Sequence, residues 1–310
     1  MKEKNITNAA KTRNAAVWKV LAAGFGWGII GVFSRPLSGA GLDAVQITFT
    51  RSLIVAVGMA VFLLLTDKSQ FRIHWKDIWM FLGSGLLSIV FFNICYFLTI
   101  DKATLAAASI LLYTAPCFVL LMSAVLFHEK ITGQKIAALF LAFAGCVLVS
   151  GFSGGQMGVG AVLTGIGSGV GYALYSIFGS IALKKYKPLT VIFYTFLIAS
   201  VGIIPFSHVQ EIPALLHGRP MAWISMLALG IVSTFLPFLL YTDGLRELEA
   251  GKASVLAFAE PMVATIAGIV IFREVLHVQN ALGILLIFLA ILLLNLPAPH
   301  RPRLPRHYQA

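Results

Sequence analysis

The chain alternates between long apolar blocks and short polar breaks. Each block is close to the roughly 20 residues that a helix needs to cross a hydrocarbon core of about 30 Å. Ten blocks are readable: Val17 to Phe33, Asp43 to Thr66, Trp75 to Thr99, Ala103 to Phe127, Thr132 to Ser150, Val159 to Leu183, Leu189 to Phe206, Met221 to Leu245, Lys252 to Phe272 and Val278 to Leu296. In lipid the backbone must pair within its own segment, so such blocks become helices. Long continuous blocks, rather than short runs of alternating residues, argue against a β-barrel. The predicted fold is an all-α integral membrane protein of ten transmembrane helices joined by short loops.

Composition agrees with this pattern. Of 310 residues, 59% are hydrophobic and 11% charged, against about 25% charged in soluble domains. Mean hydropathy is +0.90. The net charge of +11 would point to nucleic acid in a soluble protein. Here the basic residues gather in loops and tails, where they set topology, and no nucleic-acid partner is implied. One side collects the N-terminal Lys2, Lys4, Lys11, Arg13 and Lys19, then Lys68, Arg72, Lys76, Lys130, Lys135, Lys184, Lys185, Lys187, Arg246, Lys252, Arg301, Arg303 and Arg306. The other side receives Arg35, Lys102, Arg219 and Arg273. The excess marks the cytoplasmic side, so both termini are expected inside, in a plasma membrane of bacterial type. The charged start followed by an apolar block resembles a signal peptide, but no clear cleavage site follows and the block belongs to a repeat. Cys95, Cys117 and Cys146 all lie inside apolar blocks and read as packing residues, not a disulfide framework.

The chain repeats itself at one constant offset of 145 residues. Tyr113-Thr114-Ala115-Pro116, running to Phe127-His128-Glu129, matches Phe258-Ala259-Glu260-Pro261, running to Phe272-Arg273-Glu274. The same offset pairs Gly26 with Gly171, Trp27 with Tyr172, Phe33 with Phe178, Gly85 with Gly230, Tyr96 with Tyr241, Ser109 with Ser254 and Phe143 with Phe288. Five helices per half is an odd number, so the second half must enter the membrane inverted, a recurring transporter design. The expected organisation is a cytoplasmic N-terminal tail at 1–16, a first five-helix repeat at 17–150, a second, inverted repeat at 159–296 and a disordered cytoplasmic tail at 297–310.

These duplicated stretches, each ending in Phe-x-Glu before the next helix, together with Arg51, resemble the EamA-type branch of the drug/metabolite transporter superfamily over nearly the whole chain. The resemblance implies ten helices, a central cavity and movement of metabolites such as amino acids, often outward.

Two ionisable residues fall deep inside helices. Arg51 is about 12 Å into the second helix, and Glu260 lies at similar depth in the ninth, entering from the other side. An intramembrane charge is expensive and is read first as a functional site. Glu260 suits a substrate amine or a coupling proton; Arg51 suits a carboxylate or a pairing with Glu260. Pro116, Pro237 and Pro261 are expected kinks or hinges. Trp27, Asn93, Tyr96, Tyr113, Tyr172, Tyr175 and Tyr241 complete the candidate cavity. Their aromatic faces attract amines, although ordinary packing accounts for any one of them. Glu129 and Glu274 sit at helix junctions as caps or loop anchors.

No enzyme motif, metal-ligand pair or cofactor site is expected. Gly244 to Ser254 departs from a phosphate loop in its glycine spacing and in the Ala253 that follows Lys252. With no nucleotide site, transport must draw on an ion or substrate gradient. The expected function is secondary transport of small metabolites, amino-acid export foremost, by alternating access. Uptake or exchange of amines, choline-like cations or other metabolites is the alternative; a channel or an intramembrane enzyme fits less well. A complete repeat pair is enough for a monomer to work, and a dimer stays open.

Overall fold

The computed structural model describes residues 2–151 and 157–296. Ten helices are long and apolar enough to cross a membrane: α1 (Thr12–Gly39), α2 (Ala44–Thr66), α3 (Trp75–Lys102), α4 (Leu105–Phe127), α5 (Gly133–Ser150), α6 (Val159–Ala182), α7 (Pro188–Phe206), α8 (Pro220–Gly244), α9 (Ala250–Phe272) and α10 (Val278–Asn295). Nine agree with the sequence pattern to within about three residues at each end, because a polar or glycine-rich break bounds each block. The exception is α1. It extends at its far end to Gly39, and at its near end the helix runs continuously from Lys2. Once a spanning segment has nucleated a helix, flanking Lys, Asn and Ala residues add turns at little cost. The expected disordered tail at 297–310 lies outside the described residues.

Short loops force neighbouring spans to alternate in direction. The face on which α1 begins is called here the near face. It also carries the ends of α2, α4, α6, α8 and α10, and the Gln134 amide at the start of α5 donates to the Leu293 and Leu296 carbonyls at the end of α10. In the loop after α2, the Asp67 carboxylate accepts from Ser69, Gln70 and Lys187, which hold its pKa down at about 2.

The halves interleave. α1 packs on α8 and α9 of the other half, and α6, its counterpart, packs on α3 and α4. α2 lies against its counterpart α7, and α5 against its counterpart α10. This is the contact pattern of an in-plane pseudo-two-fold axis, and it is repeated at atomic detail. A methyl added at Gly26 would collide with the Pro237 ring, and one at the equivalent Gly171 would lie 2.9 Å from the Phe92 side chain, Phe92 being the counterpart of Pro237. Likewise a methyl at Gly24 would meet Ala259 at 3.0 Å, and one at its counterpart Gly169 would meet Thr114 at 2.6 Å. Glycine is required at these crossings because the backbones come too close for any side chain. Residues such as Leu65, Val125 and Val270 present large apolar surface outward, as a lipid-facing bundle must.

α1 is interrupted by a turn at Ile29, and four further helices are irregular in equivalent pairs. α3 widens into π turns over Gly83–Val90 and α8 over Ile231–Phe235. α4 is interrupted at Tyr113-Thr114 and α9 at Ala257-Phe258.

Substituting Gly26 or Gly171 by valine should cost about 1–3 kcal/mol through overpacking. The check is thermal stability in detergent: both variants should melt several degrees below the parent, while Gly58→Ala, with open space around its added methyl, should not. Equal melting for all three would contradict the close crossings.

Candidate functional site

Arg51 is the eighth residue of α2, and Glu260 the eleventh of α9, entering from opposite faces. Both residues fall near mid-depth, and they meet through adjacent residues of α3: Asn93 bonds Arg51, and Phe92 packs on the Tyr172 that bonds Glu260. They are not an ion pair within 4.0 Å. Arg51 Nη2 instead donates to Asn93 Oδ1 at 3.4 Å, and Tyr172 OH donates to Glu260 Oε2 at 3.3 Å.

Each partner is itself held. Asn93 Nδ2 donates to the Ile89 carbonyl one turn back at 2.7 Å, and its Oδ1 also accepts from Thr48 Oγ1 at 3.2 Å. That bond crosses from α2 to α3 and fixes the amide oxygen toward Arg51. Tyr172 meets Phe92 edge to face, ring centroids 5.5 Å apart. The two charges are thereby oriented by neutral dipoles, and neither neutralises the other.

The remaining candidates divide into two groups. Arg51, Tyr96, Tyr113, Tyr172 and Glu260 keep some accessible surface. Trp27, Asn93, Tyr175 and Tyr241 are buried. Tyr175 OH and Thr242 Oγ1 share a hydrogen bond of 2.6 Å, and Tyr241 OH and Ser176 Oγ one of 2.8 Å. Trp27, Tyr175 and Tyr241 all stack around Phe238, directly or through one another. This packed layer lies toward the near face, because Tyr241 is three residues from the near end of α8. It is a floor. A space of about 20 Å³, bounded by Ser88, Ser176 and these rings, has room for about one water.

Above the floor the packing loosens. Tyr96 OH bonds Ser109 Oγ at 3.1 Å but stays accessible, whereas its counterpart Tyr241 is 3% exposed. Tyr113 meets Phe258 at 5.9 Å across the two interruptions of α4 and α9. Tyr96 and Tyr113 are thus only partly buried, in contrast to the tightly packed layer of Trp27, Tyr175 and Tyr241 below them.

The prolines sit beside the irregularities, not at their centres. Pro116 is the second residue of the Ala115–Phe127 segment, Pro261 the third of Ala259–Phe272, and Pro237 the second of Leu236–Gly244. In a first turn the missing N–H has no partner to lose, so each proline begins a helical segment and the break falls in the turn before it. Thr48, Phe238, Ser176 and Thr242 also build the site. None stands out in the sequence: they are one threonine, one phenylalanine and two small hydroxyls among many in apolar blocks.

The arrangement offers one cation and one carboxylate, unpaired to each other, above an aromatic floor. Comparisons with known proteins point to the same class. The model of the EamA-like transporter family matches residues 14–151 and again 159–296. An uncharacterized transporter of Archaeoglobus fulgidus is 31% identical over 71% of this chain and 78% of its own length. The uncharacterized transporter YxxF of Bacillus subtilis is 27% identical over 90% of this chain and 89% of its own. The pseudopaline exporter CntI of Pseudomonas aeruginosa is 28% identical over 71% of this chain and 74% of its own. A solved crystal structure 20% identical in sequence superposes with a TM-score of 0.75 over 91% of this chain and 96% of that one, which supports the fold.

Single cysteines, placed in a background lacking Cys95, Cys117 and Cys146, test the two groups. At positions 96, 113 and 172 they should react with a polar thiol reagent at least about tenfold faster than at 27, 175 and 241, since buried thiols are inert. Equal rates would mean that no floor closes the near side.

Proposed function

This chain belongs to the EamA-like transporter family, spanning the membrane ten times as two five-helix halves, and from that premise we propose that it exports small zwitterionic metabolites, amino acids foremost, by alternating access around the space between Arg51 and Glu260. The observation that carries this reading is the unpaired charge pair. Burying a charge without a partner costs several kcal/mol, so a chain that keeps two such groups near one another and joined to neutral dipoles leaves a position for a ligand with both signs. An amino-acid carboxylate fits the Arg51 guanidinium, and its ammonium fits Glu260 with the faces of Tyr113 and Tyr172 beside it. The Phe238 layer forms the barrier on one side.

The excess of Lys and Arg on the near face favours that face as cytoplasmic, with the cavity then open to the outside, and the membrane as a bacterial plasma membrane. The exporter among its relatives supports outward movement. Pro116, Pro237 and Pro261 adjoin the irregular turns of the central helices and serve as bending points. Each half holds a full set of five helices, so a monomer suffices. Glu260 is the group positioned to carry a coupling proton.

A second reading takes an amine or choline-like cation as substrate. Glu260 beside aromatic rings favours it; Arg51 in the same space counts against it.

Counterflow in proteoliposomes loaded with an amino-acid mixture tests the proposal. Labelled neutral or aromatic amino acids should enter saturably. Glu260→Gln and Arg51→Gln should each lower counterflow by about ten- to a hundredfold, the worth of one charged hydrogen bond of roughly 1.5–3 kcal/mol, with expression intact. Counterflow of amines alone, lost in Glu260→Gln and kept in Arg51→Gln, would favour the second reading. Full activity in both variants would remove the charge pair from the mechanism.

A further inference from the structure

Two turns of this protein share one backbone and hold different partners. α4 ends at Phe127; His128 then takes the left-handed conformation at φ 56°, and Glu129 N–H donates back to the Ser123 carbonyl at 3.3 Å. α9 ends at Phe272; Arg273 takes the same conformation at φ 56°, and Glu274 N–H donates to the Gly268 carbonyl at 3.1 Å. Every position in the second description is the first moved by 145. Non-glycine residues rarely adopt this conformation, and finding it at both equivalents means that both turns aim a glutamate.

The carboxylates go to different places. Glu129 Oε1 accepts from the Ala250 amide at 2.8 Å and Oε2 from the Gly251 amide at 3.2 Å, the first turn of α9 in the other half. Lys135 Nζ lies 3.7 Å away and pairs with Glu249, and the Lys135 and Glu129 side chains are 8% and 10% exposed. Glu274 accepts instead from Arg35 Nη2 at 2.6 Å, with both side chains about half exposed. Arg35 in turn stacks over Phe272 at 3.7 Å. The counterparts of Ala250 and Gly251 are Leu105 and Ala106, the first turn of α4. There Thr104 caps the Ala107 amide at 3.1 Å, and Leu105 is 60% exposed. The start of α9 is buried and latched; the start of α4 is open.

We propose that Glu129 and Glu274 are reciprocal latches of the transport cycle: Glu129 seals the near face by capping α9, and Glu274 seals the opposite face by capping the Leu105 and Ala106 amides of α4 when the cavity turns to the near face. The inference rests on the alternating-access reading and names the positioning residues of its two end states. A carboxylate bridging two amides at a helix start forms charge-assisted bonds and meets the positive end of the helix. Each latch joins the two halves, so rocking one half against the other makes one and breaks the other. Arg35 is the alternative partner that keeps Glu274 off α4 in the present state.

The latches are unequal. The counterpart of Lys135 is Asn280, which accepts from its own cap at His277 N–H and donates to the Val149 carbonyl. The opposite latch therefore lacks the buried lysine, and the resting protein favours closure of the near face.

The substitutions Ser109→Cys and Ser254→Cys, made singly at these equivalent positions in a cysteine-free background, report the two vestibules. In the parent, labelling by a polar maleimide should be fast at position 109 and slow at 254. Glu129→Gln should raise the rate at 254 about tenfold and lower the rate at 109 in step. Glu274→Gln should leave the rate at 254 unchanged or lower it. Local loosening alone would not slow labelling at 109. Gly251→Val supplies the control, since its side chain presses on Leu120 and wedges the same contact apart sterically. If Gly251→Val trades the two rates and Glu129→Gln, monodisperse and folded, does not, the latch is wrong and alternating access stands. If no variant trades them, alternating access itself falls.

Discussion

A backbone amide that finds no partner in hydrocarbon costs several kcal/mol, and this rule decides where the protein is allowed to be irregular. Its interrupted and widened turns fall in α1, α3, α4, α8 and α9, helices that pack on the other half of the bundle. There, side chains and neighbouring helices take over the broken ladder: the Thr114 hydroxyl donates to the Leu111 carbonyl at 2.6 Å, and Thr234 Oγ1 reaches the Leu229 carbonyl at 2.9 Å inside the widened turn of α8. The outer helices α5 and α10 have no such freedom and run unbroken.

The pseudo-two-fold axis adds a second constraint. If both halves had identical surroundings, the molecule would be open to both sides or to neither. The structure departs from symmetry in side-chain partners while keeping it in backbone: Tyr241 is buried where Tyr96 is accessible. Glu129 reaches across to α9, and Glu274 stays with Arg35. On the alternating-access reading proposed above, sequence differences between counterparts, such as Lys135 against Asn280, are what would set the balance between two closures.

Much of the architecture is legible in the sequence, and the reason is physical. Membrane thickness fixes helix length, so the ends of α2, α4, α5, α6 and α7 fall within about two residues of the apolar blocks. A gapless offset of 145 residues then pairs the two halves helix by helix. The site is less legible. In a soluble protein the apolar face of a helix points to the core, but in lipid both faces are apolar, so hydrophobicity does not separate Tyr175, in the floor, from Tyr113, at the accessible space. Thr48 is invisible for the same reason; only its distance to Asn93 gives it meaning. The prolines are legible in the sequence, and the irregular turn lies just before each of them, because a proline is harmless in a first turn.

The charge pair is where these constraints meet. A direct Arg51–Glu260 bridge would be the cheaper way to bury both groups, since a paired charge recovers part of its desolvation cost. The chain instead gives each charge a neutral hydrogen-bonding partner, Asn93 for one and Tyr172 for the other. Neutral partners hold a charge in place without satisfying it. The cost is stability, and the result is a pair of groups left open to the zwitterionic ligand proposed above. The same logic separates this site from the latch at Glu129, where carboxylate, lysine and helix start are brought into full contact and buried. At Glu129 the charges are satisfied by the fold, whereas at Arg51 and Glu260 each charge has only a neutral side-chain partner.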